Sequence, residues 1–313
     1  MNLVTIAFYN LENLFDTIDD PTTLDDDFTP KGEKRWTNNR YKKKVFKLTK
    51  TISEIGTHNT KEPPVLIGIA EVENENVVKD LVTNSNLERI NYDYVHYDSP
   101  DERGIDTGLI YNKDYFTVLH SEPIHVHIIN TNGDVDNTRD ILYVHGKLNG
   151  EEVHVFVNHW PSKREGKITT DYKRIEAAKV LINFMAKIEE KNPNPNYIVM
   201  GDFNDSPKSD SIQTLMDTNK FYNPSEHLLT FEKGSASYKR KWSLFDQIII
   251  SHSFLNYEKG THSFLEANIF DEHFLTEFDG KFKGTPFRTY VGRKYVGGYS
   301  DHFPVFIQLK YNE

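Results

Sequence analysis

IVMGDFND, at residues 198–205, is a short apolar run that ends in a polar turn. The β-branched residues Ile198 and Val199 predict a buried strand. A strand end holds a side chain rigidly, as a catalytic group requires. Asp202 and Asn204 are alternate residues of an extended turn, so both side chains are predicted to face one side. The stretch therefore predicts a functional site at a strand end, with an ordinary Asx-turn as the alternative.

Four other polar clusters lie at the ends of apolar runs. They contain Asn10, Glu71, Asn158 with His159, and Asp301 with His302. Packing alone does not account for five such strand ends, because a polar group at the end of a buried strand costs free energy unless it has a partner. A site that unites clusters from both ends of the chain predicts a single domain, residues 1–313.

Short runs rich in β-branched residues predict eight strands. They are Leu3–Tyr9, Val65–Ala70, Gly108–Tyr111, Ile141–Val144, Val153–Val157, Ile198–Met200, Gln247–Ile250 and Phe303–Leu309. Helical spacing of apolar residues predicts two amphipathic helices, from about Tyr41 to Ile55 and from Thr169 to Glu190. Strands combined with a few helices indicate an α+β fold.

Composition limits the groups that can carry out catalysis or bind a partner. The chain has 313 residues, a net charge of −10 and no cysteine, so its reactive groups must be oxygen and imidazole groups. The acidic balance removes bulk attraction to nucleic acid, although local charge around a cleft decides binding. No apolar run reaches the roughly 18 residues that span a bilayer. The start, residues 1–9, lacks a signal-peptide pattern, which predicts a cytoplasmic protein, or an exported one if a signal peptide was removed.

Taken in order, these clusters resemble the motifs of the endonuclease/exonuclease/phosphatase superfamily, and of a bacterial branch of it. The Gly201–Asn204 and Ser300–His302 motifs at this spacing are the specific pair, and the resemblance runs from Asn10 to Pro304. It implies a DNase I-like, four-layer α/β/β/α sandwich, in which two mixed sheets pack together and helices cover the outside. It also implies a site at one edge of the sandwich.

Glu71 is the best candidate metal ligand, because a carboxylate at the end of an apolar strand is otherwise costly to place. The alternative is an acid that caps a helix near Asn74. The resemblance implies that Glu71 holds the metal together with Asn10 and Asp301. Mg²⁺ takes oxygen ligands and needs few carboxylates, so Mg²⁺ or Mn²⁺ is the expected cofactor.

The catalytic candidates are an acid, an amide and two histidines. The resemblance implies that Asp202 orients or deprotonates the attacking water and that Asn204 binds the phosphate or positions the water. It also pairs Asp246 with His302, and a carboxylate bonded to an imidazole makes that imidazole a better base. Whether Asp202 or His302 takes the proton stays open. His159 is predicted to stabilise charge at the phosphate, with a structural histidine as the alternative.

Phosphate or substrate binding is predicted for a set of polar and basic residues. An arginine can hold a phosphate with two hydrogen bonds, and a surface salt bridge is the alternative. The set is Asn158, Arg103, Arg139, Lys163 and Arg164, and a further basic patch lies at residues 239–242.

Together these residues predict a divalent-metal-dependent phosphodiesterase that works by direct water attack, with nucleic acid as the expected substrate. One alternative is a phosphatase or phosphodiesterase for a small-molecule or lipid phosphate ester, which the overall acidity favours. Another is a catalytically silent binding module, against which the complete set of site residues speaks. Membrane insertion is not expected.

Overall fold

The computed structural model describes residues 2–130, 132–163 and 166–313, and it contains two large sheets. Their twelve strands, in chain order, are β1 (Leu3–Leu14), β2 (Leu66–Val72), β3 (Tyr92–His96), β4 (Asp106–Asn112), β5 (Phe116–Ile124), β6 (Ile141–Leu148), β7 (Glu151–His159), β8 (Tyr197–Asp202), β9 (Phe221–Tyr222), β10 (Asp246–Ser251), β11 (His262–Ile269) and β12 (Val305–Tyr311). Three small two-stranded ribbons accompany them: Ile128–Ile129 with Val135–Asp136, Ala236–Tyr238 with Lys241–Ser243, and Tyr290–Val291 with Lys294–Tyr295.

Among the described residues, five α-helices lie between the strands. They are α1 (Asn38–Glu54), α2 (Thr57–Thr60), α3 (Glu75–Val82), α4 (Lys167–Glu189) and α5 (Asp210–Met216). Short 3₁₀ turns occur at Asp26–Phe28, Pro224–His227, His252–Leu255, His273–Leu275 and Gly280–Phe282. Of the helices described, none combines the length and apolarity needed to cross a membrane.

The first sheet has the strand order β11-β12-β1-β2-β4-β3. β1 pairs in parallel with β2 and antiparallel with β12, so the two ends of the chain are neighbours in one sheet. The second sheet has the order β9-β10-β8-β7-β6-β5, and its β7 and β8 run parallel. Parallel neighbours bring the ends of consecutive strands to the same edge of a sheet, which is where the polar clusters lie.

The two sheets pack face to face around the larger hydrophobic core, which includes Phe8, Ile67 and Met200. They approach closely at Gly68, where a Cβ atom would lie 2.5 Å from the Met200 sulfur. A second core, containing Leu181 and Ile249, lies between the second sheet and helices α4 and α5. Helices α1 and α3 pack on the first sheet, so the predicted four-layer α/β/β/α sandwich is confirmed.

All eight predicted strands are present, and every strand that the sequence pattern missed lies at a sheet edge. The missed strands are β3, β5, β9 and β11. Interior strands are covered on both sides and form continuous apolar runs, whereas edge strands are partly solvated and lose that pattern. Both predicted helices are present as α1 and α4, with ends shifted by one to three residues.

Candidate active site

The polar clusters of both sheets meet at one edge of the sandwich. In the second sheet, Asp202 at the end of β8 is paired in register with His159 on β7 and with Asp246 on β10. In the first sheet, Asn10 of β1 pairs with the residue that precedes Glu71 on β2. Strand register therefore gathers the site residues of each sheet, and the packing of the two sheets brings Asn10 to Asp202, 192 residues later in the chain.

The Asp202 carboxylate lies at the centre of this group. Its Oδ2 accepts a hydrogen bond from Asn10 Nδ2 at 3.0 Å, which joins the two sheets at the site. The Nε2 atoms of His159 and His302 lie 3.8 and 3.9 Å from the same oxygen. His159 Nε2 is also 3.8 Å from Glu71 Oε1. One buried oxygen atom thus has an amide and two imidazoles within 4 Å.

His302 is held by a second carboxylate. Its Nδ1 lies 2.7 Å from Asp246 Oδ2, and Asp246 is fully buried. Burial lowers the pKa of His302, but the carboxylates of Asp246 and Asp202 outweigh it and raise the pKa well above its ordinary value. Ser300 fixes the backbone that leads to His302. Its hydroxyl accepts a hydrogen bond from the His302 N–H and donates one to the Asn10 carbonyl.

Burial also perturbs the central carboxylate. It raises the pKa of Asp202 to about 7, with His302 opposing that rise and Asp246 adding to it. A carboxyl group with a pKa near 7 is suited to accept a proton at neutral pH. Asp202 and His302 thus form a linked pair in which a proton can rest on either group.

The turn after β8 positions Asn204. The Asn204 N–H donates to Asp202 Oδ1 at 2.9 Å, which is the predicted Asx-turn, and it coexists with the site geometry. The Asn204 amide group donates to the Trp160 carbonyl at 2.9 Å. Gly201 is required here, because a Cβ atom at this position would lie 2.3 Å from the Asn158 carbonyl oxygen.

Glu71 is oriented by the end of β1. Its Oε2 accepts from the Asn13 N–H at 2.8 Å, which leaves Oε1 directed towards His159. The backbone is left-handed at four non-glycine residues of the site, namely Glu12, Asn13, Glu71 and Asn204. Such conformations cost roughly 1–3 kcal/mol each and persist where the surrounding structure enforces them. The alternative capping role for Glu71 does not apply, since Asn74 caps α3 with its own side chain.

Behind these ligand candidates lies a buried lysine of helix α1. Lys44 is 2% exposed, and its Nζ donates to the Glu12 carbonyl at 2.5 Å and to the Thr289 hydroxyl at 2.6 Å. Helical spacing from Tyr41 to Leu48 puts Lys44 on the buried face, a signal that was available in the sequence.

The charges around Glu71 and Asp301 suit a bound cation. Burial and the charge of Asp301 raise the pKa of Glu12 to about 7. Glu12, Glu71 and Asp301 together offer three carboxylates, and the buried cation among them is Lys44. Carboxylate and amide oxygens are the donors that Mg²⁺ and Mn²⁺ prefer. The residues present therefore suit such an ion, while the Glu12 carboxylate accepts from the Thr289 N–H at 2.7 Å and faces Lys44 at 3.8 Å.

Three of the residues that were predicted to bind substrate are buried or lie next to a carboxylate. Asn158 is fully buried and bonds to the Met200 carbonyl and the Trp160 indole, so it joins strands rather than facing the cleft. Arg139 is 7% exposed and pairs with Asp101 at 2.9 Å, which is the salt-bridge alternative. Arg103 Nε lies 3.4 Å from Asp101 Oδ1.

Lys163 also has a carboxylate partner. Its Nζ lies 2.5 Å from Asp205 Oδ1, and the buried Arg174 donates to the other Asp205 oxygen at 2.9 Å. Arg164 lies outside the described residues. Asp205 and Arg174 were not predicted as site residues, and they anchor the turn that carries Asp202 and Asn204.

The four-layer sandwich thus gathers carboxylates, an amide and two histidines at one edge of both sheets. The chain belongs to the endonuclease/exonuclease/phosphatase family, whose sequence model matches residues 5–311. Members of this family are phosphoric ester hydrolases and generally use a divalent metal. Comparison with curated proteins gave no match.

Solved structures with the same fold are distant in sequence. A family member from Bacteroides thetaiotaomicron is 16% identical, with a TM-score of 0.62 over 99% of this chain and 95% of that one. The mannosyl-6-phosphatase Bt3783 of the same organism is 16% identical, with a TM-score of 0.59 over 98% and 100%. Truncated TDP2 from Caenorhabditis elegans is 15% identical, with a TM-score of 0.59 over 98% and 97%. At these identities the likeness shows the fold.

Proposed function

We propose that the protein is a divalent-metal-dependent phosphodiesterase that acts by direct attack of water, with nucleic acid as its substrate. The observation that carries the reaction type is the position of Asp202 Oδ2, within 4 Å of Asn10, His159 and His302. No cysteine is present and the central groups are acids and imidazoles, which suits proton transfer to and from water rather than a covalent intermediate.

Metal binding is assigned to Glu71 and Asp301, with Asn10 and Glu12 beside them. When bound, Mg²⁺ or Mn²⁺ supplies Lewis-acid stabilisation of charge on the phosphoryl oxygens. The chain orients these donors itself, through the Asn13 N–H on Glu71 and the Thr289 N–H on Glu12. Arg288 lies 3.7 Å from Asp301 and balances part of its charge.

Proton transfer is assigned to Asp202, with His302 as its partner. Asp202 is buried and central, and its raised pKa lets it accept the proton of the attacking water. His302, fixed by Asp246 at 2.7 Å, holds the adjacent charge and can share that proton. His159 faces both Glu71 and Asp202, where an imidazolium stabilises negative charge that develops on the phosphate. Asn204 holds the phosphate or the water from the neighbouring turn.

The nucleic-acid substrate is supported by a ribbon beside the catalytic histidine. Ala236 forms a β-bridge with His302, and the ribbon that begins there ends in a basic tip. Tyr238 is 73% exposed at this tip and is followed by Lys239, Arg240 and Lys241, which are exposed as well. Exposed basic and aromatic side chains next to a catalytic group suit a polyanionic strand with stacking bases.

The second candidate is a small phosphate ester, and a cleft that adjoins the catalytic turn favours it. The cleft has a volume of about 220 Å³ and includes Asp101, Arg103, Asp136, Arg139 and Lys173. Its cations face carboxylates, as in Arg139 with Asp101 at 2.9 Å and Lys173 with Asp136 at 2.7 Å. Among its described lining residues there is no aromatic ring on which a base could stack.

That cleft adjoins the catalytic turn. Arg139 Nη2 and Asn204 Nδ2 both donate to the Trp160 carbonyl, each at 2.9 Å. A polar, charge-balanced cleft suits a neutral, hydroxyl-rich group better than a second phosphate. The fold shared with a mannosyl-6-phosphatase is compatible with this candidate. A silent binding module is a third reading, and the intact set around Asp202 speaks against it.

The deciding experiment compares substrates side by side. Plasmid DNA, single-stranded DNA, RNA, a sugar phosphate and a chromogenic phosphodiester are incubated with Mg²⁺, Mn²⁺ or EDTA. His159→Ala is expected to lose about 10²–10³-fold in rate. His127→Ala changes an exposed histidine outside the site and serves as the matched control.

Metal-dependent cleavage of polymer that is lost in His159→Ala supports the nuclease. Turnover of the sugar phosphate alone supports the second candidate instead. If the folded protein hydrolyses none of these substrates with either metal, the proposal of a hydrolase fails and the binding module takes its place.

A further inference from the structure

Three histidines form a row across the outer face of the second sheet, away from the catalytic edge. His120 on β5 is paired in register with His145 on β6, and His145 is paired with His154 on β7. Directly opposite residues on antiparallel strands point to the same face of a sheet. Glu152 is two residues before His154 on β7, so its side chain lies on that face too.

Three of these side chains converge. One ligand atom from each of His145, Glu152 and His154 lies within 4.8 Å of the others. His145 Nε2 is 2.8 Å from Glu152 Oε1, and the His145 and His154 rings stack with centroids 4.5 Å apart. Two imidazoles and a carboxylate are a donor set that transition metals bind readily in proteins.

His154 supplies an observation that packing does not explain. The residue is 4% exposed, and its buried Nε2 has no hydrogen-bond partner in the part of the chain that the structure describes. Leaving a buried polar atom unsatisfied costs about 1–3 kcal/mol. Its other nitrogen, Nδ1, lies 2.7 Å from the Tyr143 hydroxyl. When Nδ1–H donates to that hydroxyl, the lone pair is left on Nε2, which is the arrangement that metal-binding histidines use.

The protonation state suits a ligand. Burial, together with the neighbouring His145, lowers the pKa of His154 to about 4. The ring is therefore neutral at pH 7, as a metal-binding imidazole must be. His145 and Glu152 lie closer to solvent, with their side chains 23% and 50% exposed, so an ion can reach the group.

We propose that His145, Glu152 and His154 form a second metal site, which takes a borderline transition metal such as Zn²⁺. Donors at 2.0–2.1 Å in a tetrahedral site lie roughly 3.3 Å apart, so modest side-chain rotation closes the group around an ion. Three protein ligands leave one position for water. Magnesium is disfavoured, because it requires an octahedral set of oxygens.

This site is separate from the proposed catalytic centre. His154 precedes His159 by five residues on one strand, which corresponds to roughly 17 Å. The proposal therefore does not depend on the reaction assigned above. Bound zinc would join β6 to β7 at the end of the hairpin opposite His159, and it would stabilise the folded state in proportion to its free concentration.

The test measures zinc bound to the full-length protein by equilibrium dialysis with elemental analysis, and thermal unfolding with and without zinc. His145→Gln and Glu152→Gln are each expected to bind one zinc fewer than the wild type, or to bind it at least about tenfold more weakly. Both residues are partly exposed, so both variants should fold. His58→Gln is the matched control, since His58 forms an exposed pair with Glu272 at 3.3 Å elsewhere on the surface.

Nitrogen-detected NMR of the histidine rings provides a second readout, in which zinc should shift the Nε2 signal of His154 in the wild type and not in His145→Gln. Magnesium-dependent hydrolysis should be unchanged in both site variants. If both variants bind as much zinc as the wild type with the same affinity, or if zinc does not shift the His154 signal of the wild type, the proposed site does not exist.

Discussion

Replacing Asp246 with asparagine is expected to lower the pKa of His302 and slow hydrolysis while leaving the fold intact. Asn keeps the size of the side chain and removes only its charge. In the wild type, the Asp246 Oδ2 atom lies 2.7 Å from His302 Nδ1, and Asp246 is fully buried. Because burial by itself lowers the pKa of His302, the raised value depends on the neighbouring carboxylates.

The size of the effect follows from Coulomb's law. Two charges whose centres lie about 4 Å apart attract by about 4 kcal/mol at an effective dielectric constant of 20. One pKa unit corresponds to about 1.4 kcal/mol, so loss of the Asp246 charge should lower the pKa of His302 by roughly two to three units. If His302 shares the proton taken from water, the rate should fall by about 10²–10⁴-fold.

The assay is an NMR titration of the His302 ring in EDTA, assigned with His302→Gln, followed by the pH–rate profile with Mg²⁺. Asp140→Asn is the control, since Asp140 forms a similar pair with the exposed His125 at 2.8 Å. A His302 pKa that moves by less than about one unit in folded Asp246→Asn would refute the electrostatic reasoning. An unchanged rate would remove the pair from the mechanism.

Three other changes test the site and its support. Glu71→Gln should raise the Mg²⁺ concentration needed for half-maximal rate about tenfold or more, with excess Mg²⁺ restoring part of the activity; calorimetry that finds unaltered Mg²⁺ binding contradicts the ligand role. Lys44→Met should cost about 3–5 kcal/mol of stability, because it leaves the Glu12 carboxylate buried without its cation. Urea unfolding should show a larger loss at pH 8 than at pH 5, because Glu12 is protonated at pH 5. The contribution of His154 to stability should fall by about 2 kcal/mol as pH drops from 6.5 to 4, since unfolding restores the ordinary pKa of His154; urea unfolding should show the stability difference between the wild type and His154→Gln shifting by that amount, and a difference that does not change with pH contradicts the assignment.

The strands show which parts of the fold could be predicted from short segments of the sequence. The interior strands, such as β8 with Ile198 to Met200, are buried on both faces and could be predicted from their continuous apolar runs. Edge strands such as β11, where Phe264 and Leu265 alternate with polar or exposed positions irregularly, could not. Short helices such as α5 were missed for a related reason, since two turns give too little periodicity to recognise.

The site residues divide along similar lines. Residues at strand ends, such as Asp202 and Glu71, could be chosen because a polar group that closes an apolar run is unusual. Arg174 and Asp205 could not, because their pairing at 2.9 Å depends on where α4 packs. Arg139 was predicted to bind substrate, yet its partner Asp101 is supplied by a loop 38 residues earlier in the chain.

By itself, the sequence determined the interior strands, the main helices and the polar groups at the strand ends, because each depends on the pattern of residues within one short segment. The tertiary structure decided which of those groups lie within 4 Å of Asp202, which arginines already pair with a carboxylate, and that His145 is paired in register with His154. These depend on strand register and on packing between distant segments. A shift of one residue in register would turn the same side chains to the opposite face of the sheet.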